Sequence, residues 1–169
     1  MRILISNDDG IESPGLLALV QELENEHEVW VTAPDRERSG MSHSITLRDP
    51  VRFRQVAPRR FACDGTPADT VLYALLGAIP IQPDIIISGI NRGPNLGTDI
   101  IYSGTAAAAR QGALVGLPSI AVSVAPLKPP FPFEKAARFV RNNIELLLEL
   151  WSSDHFININ FPPPSVQVN

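Results

Sequence analysis

Apolar residues along the chain fall into two alternating patterns. Short continuous runs, RILIS at 2–6, EVWVTA at 28–33, DIIIS at 84–88, SIAVSV at 119–124 and FININF at 156–161, have the length and β-branched content of buried strands. Between them lie longer stretches with helical spacing. Pro14–Glu24 places Leu16, Leu17, Leu19, Val20 and Leu23 on one stripe, and Ala68–Ala78 is entered through Gly65, Thr66 and Pro67. Ala106–Leu114 is alanine-rich and closed by Gly116 and Pro118, and Phe133–Trp151 is a long amphipathic segment. One region differs. VRFRQV at 51–56 alternates apolar and basic positions, as a half-exposed strand does, and RRFACD at 59–64 is its expected hairpin partner. Strands buried on both faces and separated by helices predict an α/β fold. Its sheet is mostly parallel, with helices on both faces and a β-hairpin excursion, in a single domain over 1–169.

Composition narrows the function without naming it. The 169 residues suit one domain, and 44% hydrophobic with 19% charged residues is an ordinary globular balance. A net charge of −4 argues against a nucleic-acid polymer or an anionic membrane as partner. Seven basic residues cluster between Arg36 and Arg60; a solvated strand face is the expected reason, with local attraction for an anionic small molecule the alternative. The single Cys63 cannot form an intramolecular disulfide, and His27, His43 and His155 lie at no zinc-ligand spacing. No apolar run is long enough to cross a membrane, and the first strand meets polar residues too early for a signal peptide. A cytoplasmic location is the expectation.

In an open α/β sheet, ligands bind beyond the carboxyl ends of the strands, so the residues just after each strand carry the chemistry. The first strand is followed by Asn7, Asp8, Asp9 and Gly10. Either aspartate could cap the following helix, but only one is needed, and the second charge then costs stability unless a cation offsets it. Carboxylate, hydroxyl and amide oxygens suit a hard divalent ion such as Mg²⁺ or Mn²⁺. Ser39 and Asn91, on neighbouring loops, are the neutral oxygen candidates. The stretch IYSGTAAAARQGALVG supplies the second feature. Ser103 or Thr105 would cap an alanine-rich helix, and Ser103-Gly104-Thr105 at a helix start would also cradle an anion on free main-chain N–H groups. Asn91 and Asn95 precede this helix on the same connection. A cation beside an anion cradle is the arrangement that phosphate-ester chemistry needs.

Two rival classes can be weighed. A dinucleotide-binding turn needs G-x-G-x-x-G after the first strand, and NDDGIESPG is acidic there instead. A receiver module of phospho-signalling has an acidic pair after its first strand, and LKPPF at 127–131 is similar to its late Lys-Pro signature. It also needs an acceptor aspartate ending a central strand, which neither EVWVTAP nor DIIISGIN supplies; Asp35 is a weak substitute. The receiver, or a nucleotide-binding protein of reduced activity, is the alternative reading.

Four stretches closely resemble the survival protein SurE family: NDDG at 7–10, PDRERSGMSHSIT at 34–46, GTPAD at 65–69 and SGINRGPNLGTDIIYSGTAAAA at 88–109. The resemblance runs in order from Met1 to about Phe161. It implies a Rossmann-like fold and a metal-dependent phosphatase acting on nucleoside 5′- and 3′-monophosphates, with short polyphosphate a further candidate. It places the divalent metal, Mg²⁺ or Mn²⁺, on Asp8, Asp9, Ser39 and Asn91, and the phosphate on Gly40, Asn95, Ser103, Gly104 and Thr105. Asp8, Asp9 and Asn95 then carry the catalytic roles, with water or Asp8 as nucleophile. His43 could be a leaving-group acid, but an exposed loop histidine without a role is the expectation. Thr70 stands where many members have Cys, expected as a change of packing only. The resemblance also implies dimers or tetramers formed through a C-terminal extension that this chain is expected to lack.

Overall fold

The structure, a computed structural model, describes residues 1–163; residues 164–169 of the expected domain lie outside the described residues. Seven strands form one sheet: β1 (Arg2–Ser6), β2 (Glu28–Pro34), β3 (Phe53–Ala57), β4 (Arg60–Cys63), β5 (Ile85–Arg92), β6 (Ser119–Val124) and β7 (Ile157–Phe161). Their spatial order is β3-β4-β2-β1-β5-β6-β7. All neighbours pair in parallel except the β3–β4 hairpin. The hairpin, read from alternating VRFRQV, sits at one edge, with the middle of β3 exposed. Without β3, the parallel strands run third-second-first-fourth-fifth-sixth in chain order, the doubly wound arrangement.

Five helices connect the strands: α1 (Pro14–Leu23), α2 (Pro67–Tyr73), α3 (Asp99–Tyr102), α4 (Gly104–Ala113) and α5 (Phe133–Leu150). Side chains alternate across the sheet as a period of two requires. Ile3, Ile5, Ile85 and Ile87 face α1 and α5, packing with Leu16, Leu19, Val140 and Ile144. Leu4 and Ile86 face the other way, with Val71, Ala74 and Ala108 of the α2 and α4 side. Ile85, Ile86 and Ile87 are fully buried, each worth roughly 2 kcal/mol of hydrophobic stabilisation. On α5 the buried residues Phe133, Ala136, Ala137, Val140, Ile144 and Leu147 follow helical spacing.

Three elements depart from expectation. The helix expected over Ala68–Ala78 ends at Tyr73, and Ala74–Ala78 forms a π-helical turn with Gly77 at φ 100°. Thr66 caps α2 in a reciprocal box with Asp69, which fixes its start at Pro67. The strand expected to stop at Ser88 continues to Arg92 across a register shift between Ser88 and Asn91. There Gly89 lies so close to β6 that a Cβ would sit 2.3 Å from the Val122 carbonyl oxygen. Finally, α3 is a single turn inside what reads as a glycine-rich loop.

Candidate active site

The crevice of a doubly wound sheet opens where connections leave in opposite directions, here between β1 and β5. Both sequence features converge on it. The turn after β1 is shaped by Asn7, whose amide donates to Ser13 Oγ (2.6 Å) and to the Gly10 carbonyl (2.9 Å). Ser13 Oγ in turn accepts from the Leu16 N–H and caps α1. Neither aspartate is therefore a cap of α1. Both are left pointing at neighbouring elements.

Asp8 is almost fully buried. Its Oδ1 accepts from the Thr105 hydroxyl at 2.5 Å. A Cβ at Gly104 would lie 2.7 Å from the Asp8 Cβ and 2.8 Å from Pro67 Cγ, so only glycine lets the start of α4 come this close. Burial pushes the Asp8 carboxyl up to about 6; the Thr105 hydroxyl and N–H oppose the rise, and the Asp9 charge adds to it. Asp9 is raised too, chiefly by burial, against the pull of Arg92. The Arg92 guanidinium donates to Asp9 Oδ1 from Nε (3.2 Å) and Nη2 (3.1 Å), and the Arg92 N–H donates to Oδ2 (3.3 Å).

The loop after β2 docks on the same pair, the Arg38 N–H donating to the Asp8 carbonyl at 2.7 Å. Next to it, Ser39 donates to Glu37 Oε1 (3.1 Å), and Glu37 lies 3.4 Å from the Arg92 Nη2. Gly40 is exposed, at φ 74°. The rest of this loop is tied down by residues whose part the sequence did not reveal. Ser42 donates to the Ile101 carbonyl, and the Thr46 N–H and hydroxyl donate to Asp69 at 2.9 and 2.6 Å. His43 is not a free exposed histidine. It is half-buried, with Nε2 2.9 Å from Gln111 Oε1 and Nδ1 3.4 Å from Arg110 Nη1. A guanidinium only donates, so Nδ1 accepts and the proton lies on Nε2. His43 thus clamps the loop to α4. Thr70 also differs from expectation. Its hydroxyl donates to the Pro67 carbonyl and accepts from Ser6, both at 2.6 Å, so the change from Cys adds a buried polar link rather than packing alone.

On the β5 side, the Asn91 amide donates to the Gly93 carbonyl (2.9 Å), and its Oδ1 has no hydrogen-bond partner among the described residues. Asn95 is buried and donates to Ser123 Oγ (2.9 Å). Its main chain is held by β7: its N–H donates to Asn160 Oδ1 (2.8 Å), and its carbonyl accepts from Asn158 (2.9 Å) and Asn160 (3.1 Å). These asparagines were read only as part of a strand. Their i, i+2 spacing puts both on one face, which was the available signal. Ser103 Oγ accepts from the Ala106 N–H (3.0 Å) and caps α4. Of the two residues left open as the cap, Ser103 is the cap, and Thr105 instead holds Asp8.

Among the described residues no three His, Cys, Asp or Glu side chains group as a metal site. The candidate set holds only two carboxylates beside an alcohol and an amide. It nonetheless fits a hard cation on its own chemistry: Asp8 is a desolvated carboxyl with no cationic side chain against it, and Asn91 Oδ1 is unpartnered. The basic cluster is largely spent elsewhere, with Arg36 near Asp35, Arg52 on Asp64, Arg60 on Glu24 and Arg59 over the Trp30 ring. No described helix is long and apolar enough to cross a membrane.

Fold and site together define a doubly wound α/β domain with an acidic crevice at its switch point, set against the start of a capped helix. Comparison with known proteins names the family. The sequence model of the family "Survival protein SurE" matches residues 3–169, and the chain belongs to that family. It is 54% identical over 143 residues to the 5'-nucleotidase SurE of Anaeromyxobacter sp. (strain Fw109-5), covering 82% of this chain and 54% of the relative. With the 5'-nucleotidase SurE of Desulforudis audaxviator (strain MP104C) it shares 47% identity over 172 residues, covering 96% of this chain and 66% of the relative. The crystal structure of the SurE protein from Aquifex aeolicus superposes with a TM-score of 0.89 at 39% identity, covering 96% of this chain and 66% of that one. The chain thus spans between about half and two thirds of the length of these relatives.

Proposed function

We propose that the chain hydrolyses nucleoside 5′- and 3′-monophosphates to nucleoside and phosphate, using a divalent ion, Mg²⁺ or Mn²⁺. The observation that carries this reading is the contact between Asp8 and the start of α4, which sets a desolvated carboxylate against the Ser103–Thr105 turn, with a second buried carboxylate, Asp9, next in the chain. The name shared by the relatives supports it. Asp8, Asp9, Ser39 and Asn91 would hold the ion, and Gly40, Asn95, Ser103, Gly104 and Thr105 would receive the phosphoryl group. When bound, the ion supplies positive charge against the phosphoryl oxygens.

The residues of the chain then have separable tasks. At the start of α4 the Ala106 N–H is taken by Ser103 Oγ and the Thr105 N–H by Asp8, so the Gly104 N–H is the main-chain donor that would favour an equatorial phosphoryl oxygen. Asn95, pinned from β6 and β7, would offer its side-chain amide from a position fixed by strands outside its own loop. In the net reaction a water oxygen bonds to phosphorus, the ester P–O bond breaks, and the alkoxide leaves with a proton. Water is favoured over Asp8 as the nucleophile, because Asp8 Oδ1 is already engaged by Thr105. Oligomers, dimers or tetramers, belong to this reading through the family alone. A screen for phosphate release from AMP, GMP, CMP, UMP and short polyphosphate, with and without added metal, tests it. Metal-dependent release from a nucleotide is expected, and no release from any of them refutes the reading.

A further inference from the structure

We infer that Arg92 is a resident counter-cation that a metal ion must displace from Asp9, so that metal uptake by this chain is an exchange of cations rather than an addition. The inference rests on the reading of Asp8, Asp9, Ser39 and Asn91 as metal-holding residues.

The two carboxylates of the crevice are compensated differently. Asp8 meets a neutral hydroxyl donor, Thr105. Asp9, whose side chain is only 4% exposed, takes three hydrogen bonds from one residue, two from the Arg92 guanidinium and one from its main-chain N–H. A guanidinium cannot lose its charge to make room. A divalent ion reaching Asp9 Oδ1 therefore meets both a competitor for that oxygen and a like charge beside it.

The latch reaches a second candidate ligand. The same Nη2 that contacts Asp9 lies 3.4 Å from Glu37 Oε2, and Glu37 Oε1 accepts from Ser39 at 3.1 Å. The run Asp9–Arg92–Glu37–Ser39 thus ties two of the four candidate ligands to one guanidinium; the Asp9 contact competes with a cation, while Ser39 can keep donating to Glu37 from a coordinating oxygen. The arrangement also provides an exit. Arg92 is 43% exposed and Glu37 60% exposed, so the guanidinium can leave Asp9 while keeping a carboxylate partner at the rim. Only the Arg92–Glu37 contact is an exposed pair of the weak kind; the buried Asp9 carboxylate gives up the guanidinium only in exchange for another cation. The main-chain N–H of Arg92 stays on Asp9 Oδ2 whatever the side chain does, so the carboxylate keeps its orientation during the exchange.

The test is a calorimetric titration of the metal-free full chain with Mn²⁺, without nucleotide, comparing wild type, Arg92→Gln, Arg92→Lys and Asp9→Asn. Arg92→Gln is expected to bind Mn²⁺ on the order of tenfold more tightly. Arg92→Lys, which keeps the charge but loses the fork, falls between the two. An unchanged or weaker affinity in Arg92→Gln, while wild type binds and Asp9→Asn does not, overturns the exchange and leaves the metal site standing. Failure of wild type and Arg92→Gln alike to bind overturns both.

Discussion

Stability and proposed function oppose each other at Asp8. Its carboxyl moves from an ordinary 3.8 up to about 6, with burial the largest cause. The folded protein therefore holds this proton more tightly than the unfolded chain. Well below pH 3.8 both states are protonated and the residue carries no penalty. As pH rises towards 6, the unfolded chain releases its proton first and is favoured by doing so, and above the folded value the penalty is complete. A gap of about two pH units corresponds to about 3 kcal/mol, roughly 6–12 °C in Tm for a domain of this size. Asp8→Asn removes the charge but keeps an oxygen to accept from Thr105. Urea denaturation of chelator-treated protein, measured from about pH 4 to 8, should show the variant more stable than wild type by about 3 kcal/mol at the alkaline end, with most of the advantage lost at the acid end. Mn²⁺ at a thousand times its Kd should reverse the order, since it adds about 4.1 kcal/mol to the protein that binds it. A stability difference independent of pH, or one in which wild type gains on the variant as pH rises, would refute the reasoning.

Three further expectations concern the surroundings of Asp8. Gly104→Ala should destabilise the protein by about 1–3 kcal/mol in the same urea assay, because the new Cβ overlaps Asp8 and Pro67. Thr105→Val removes a donor that holds the Asp8 carboxyl down, so carboxyl NMR should find Asp8 titrating above its wild-type value. Thr70→Ala leaves the buried Ser6 hydroxyl without its 2.6 Å partner and should cost about 1–3 kcal/mol, most of it recovered by Thr70→Ser.

Residue by residue, the sequence spoke most clearly where one physical demand dominated. The isoleucines of β1 and β5 are buried on both faces, so their runs admitted little besides parallel strands. The alternation of VRFRQV pointed to the hairpin, although in β3 the alternation is not kept: Arg54, Gln55 and Val56 are all exposed at the sheet edge. The acidic pair and the SGT turn could be set together from sequence because both follow strand ends of one sheet, and Asp8 and Thr105 join them. What stayed hidden depended on contacts between distant segments. β5 runs on through polar Asn91 and Arg92 because β6 and Asp9 supply the hydrogen bonds that their own sequence does not announce. The π turn after Tyr73 relies on a single glycine at positive φ. Arg92 met Asp9 across 83 positions of sequence, and nothing in NRG distinguishes that pairing from a solvent-exposed arginine. His43 similarly found Arg110 and Gln111 only once the loop had folded onto α4.

The most direct test of the central claim is phosphate release from AMP by wild type and Asp8→Asn, each assayed in chelator and again with Mn²⁺ or Mg²⁺ restored. Wild type should be silent in chelator and active with metal, while Asp8→Asn stays silent in both. Turnover by wild type in chelator, or metal-stimulated turnover by Asp8→Asn, would contradict a metal-dependent phosphomonoesterase built on the turn after β1.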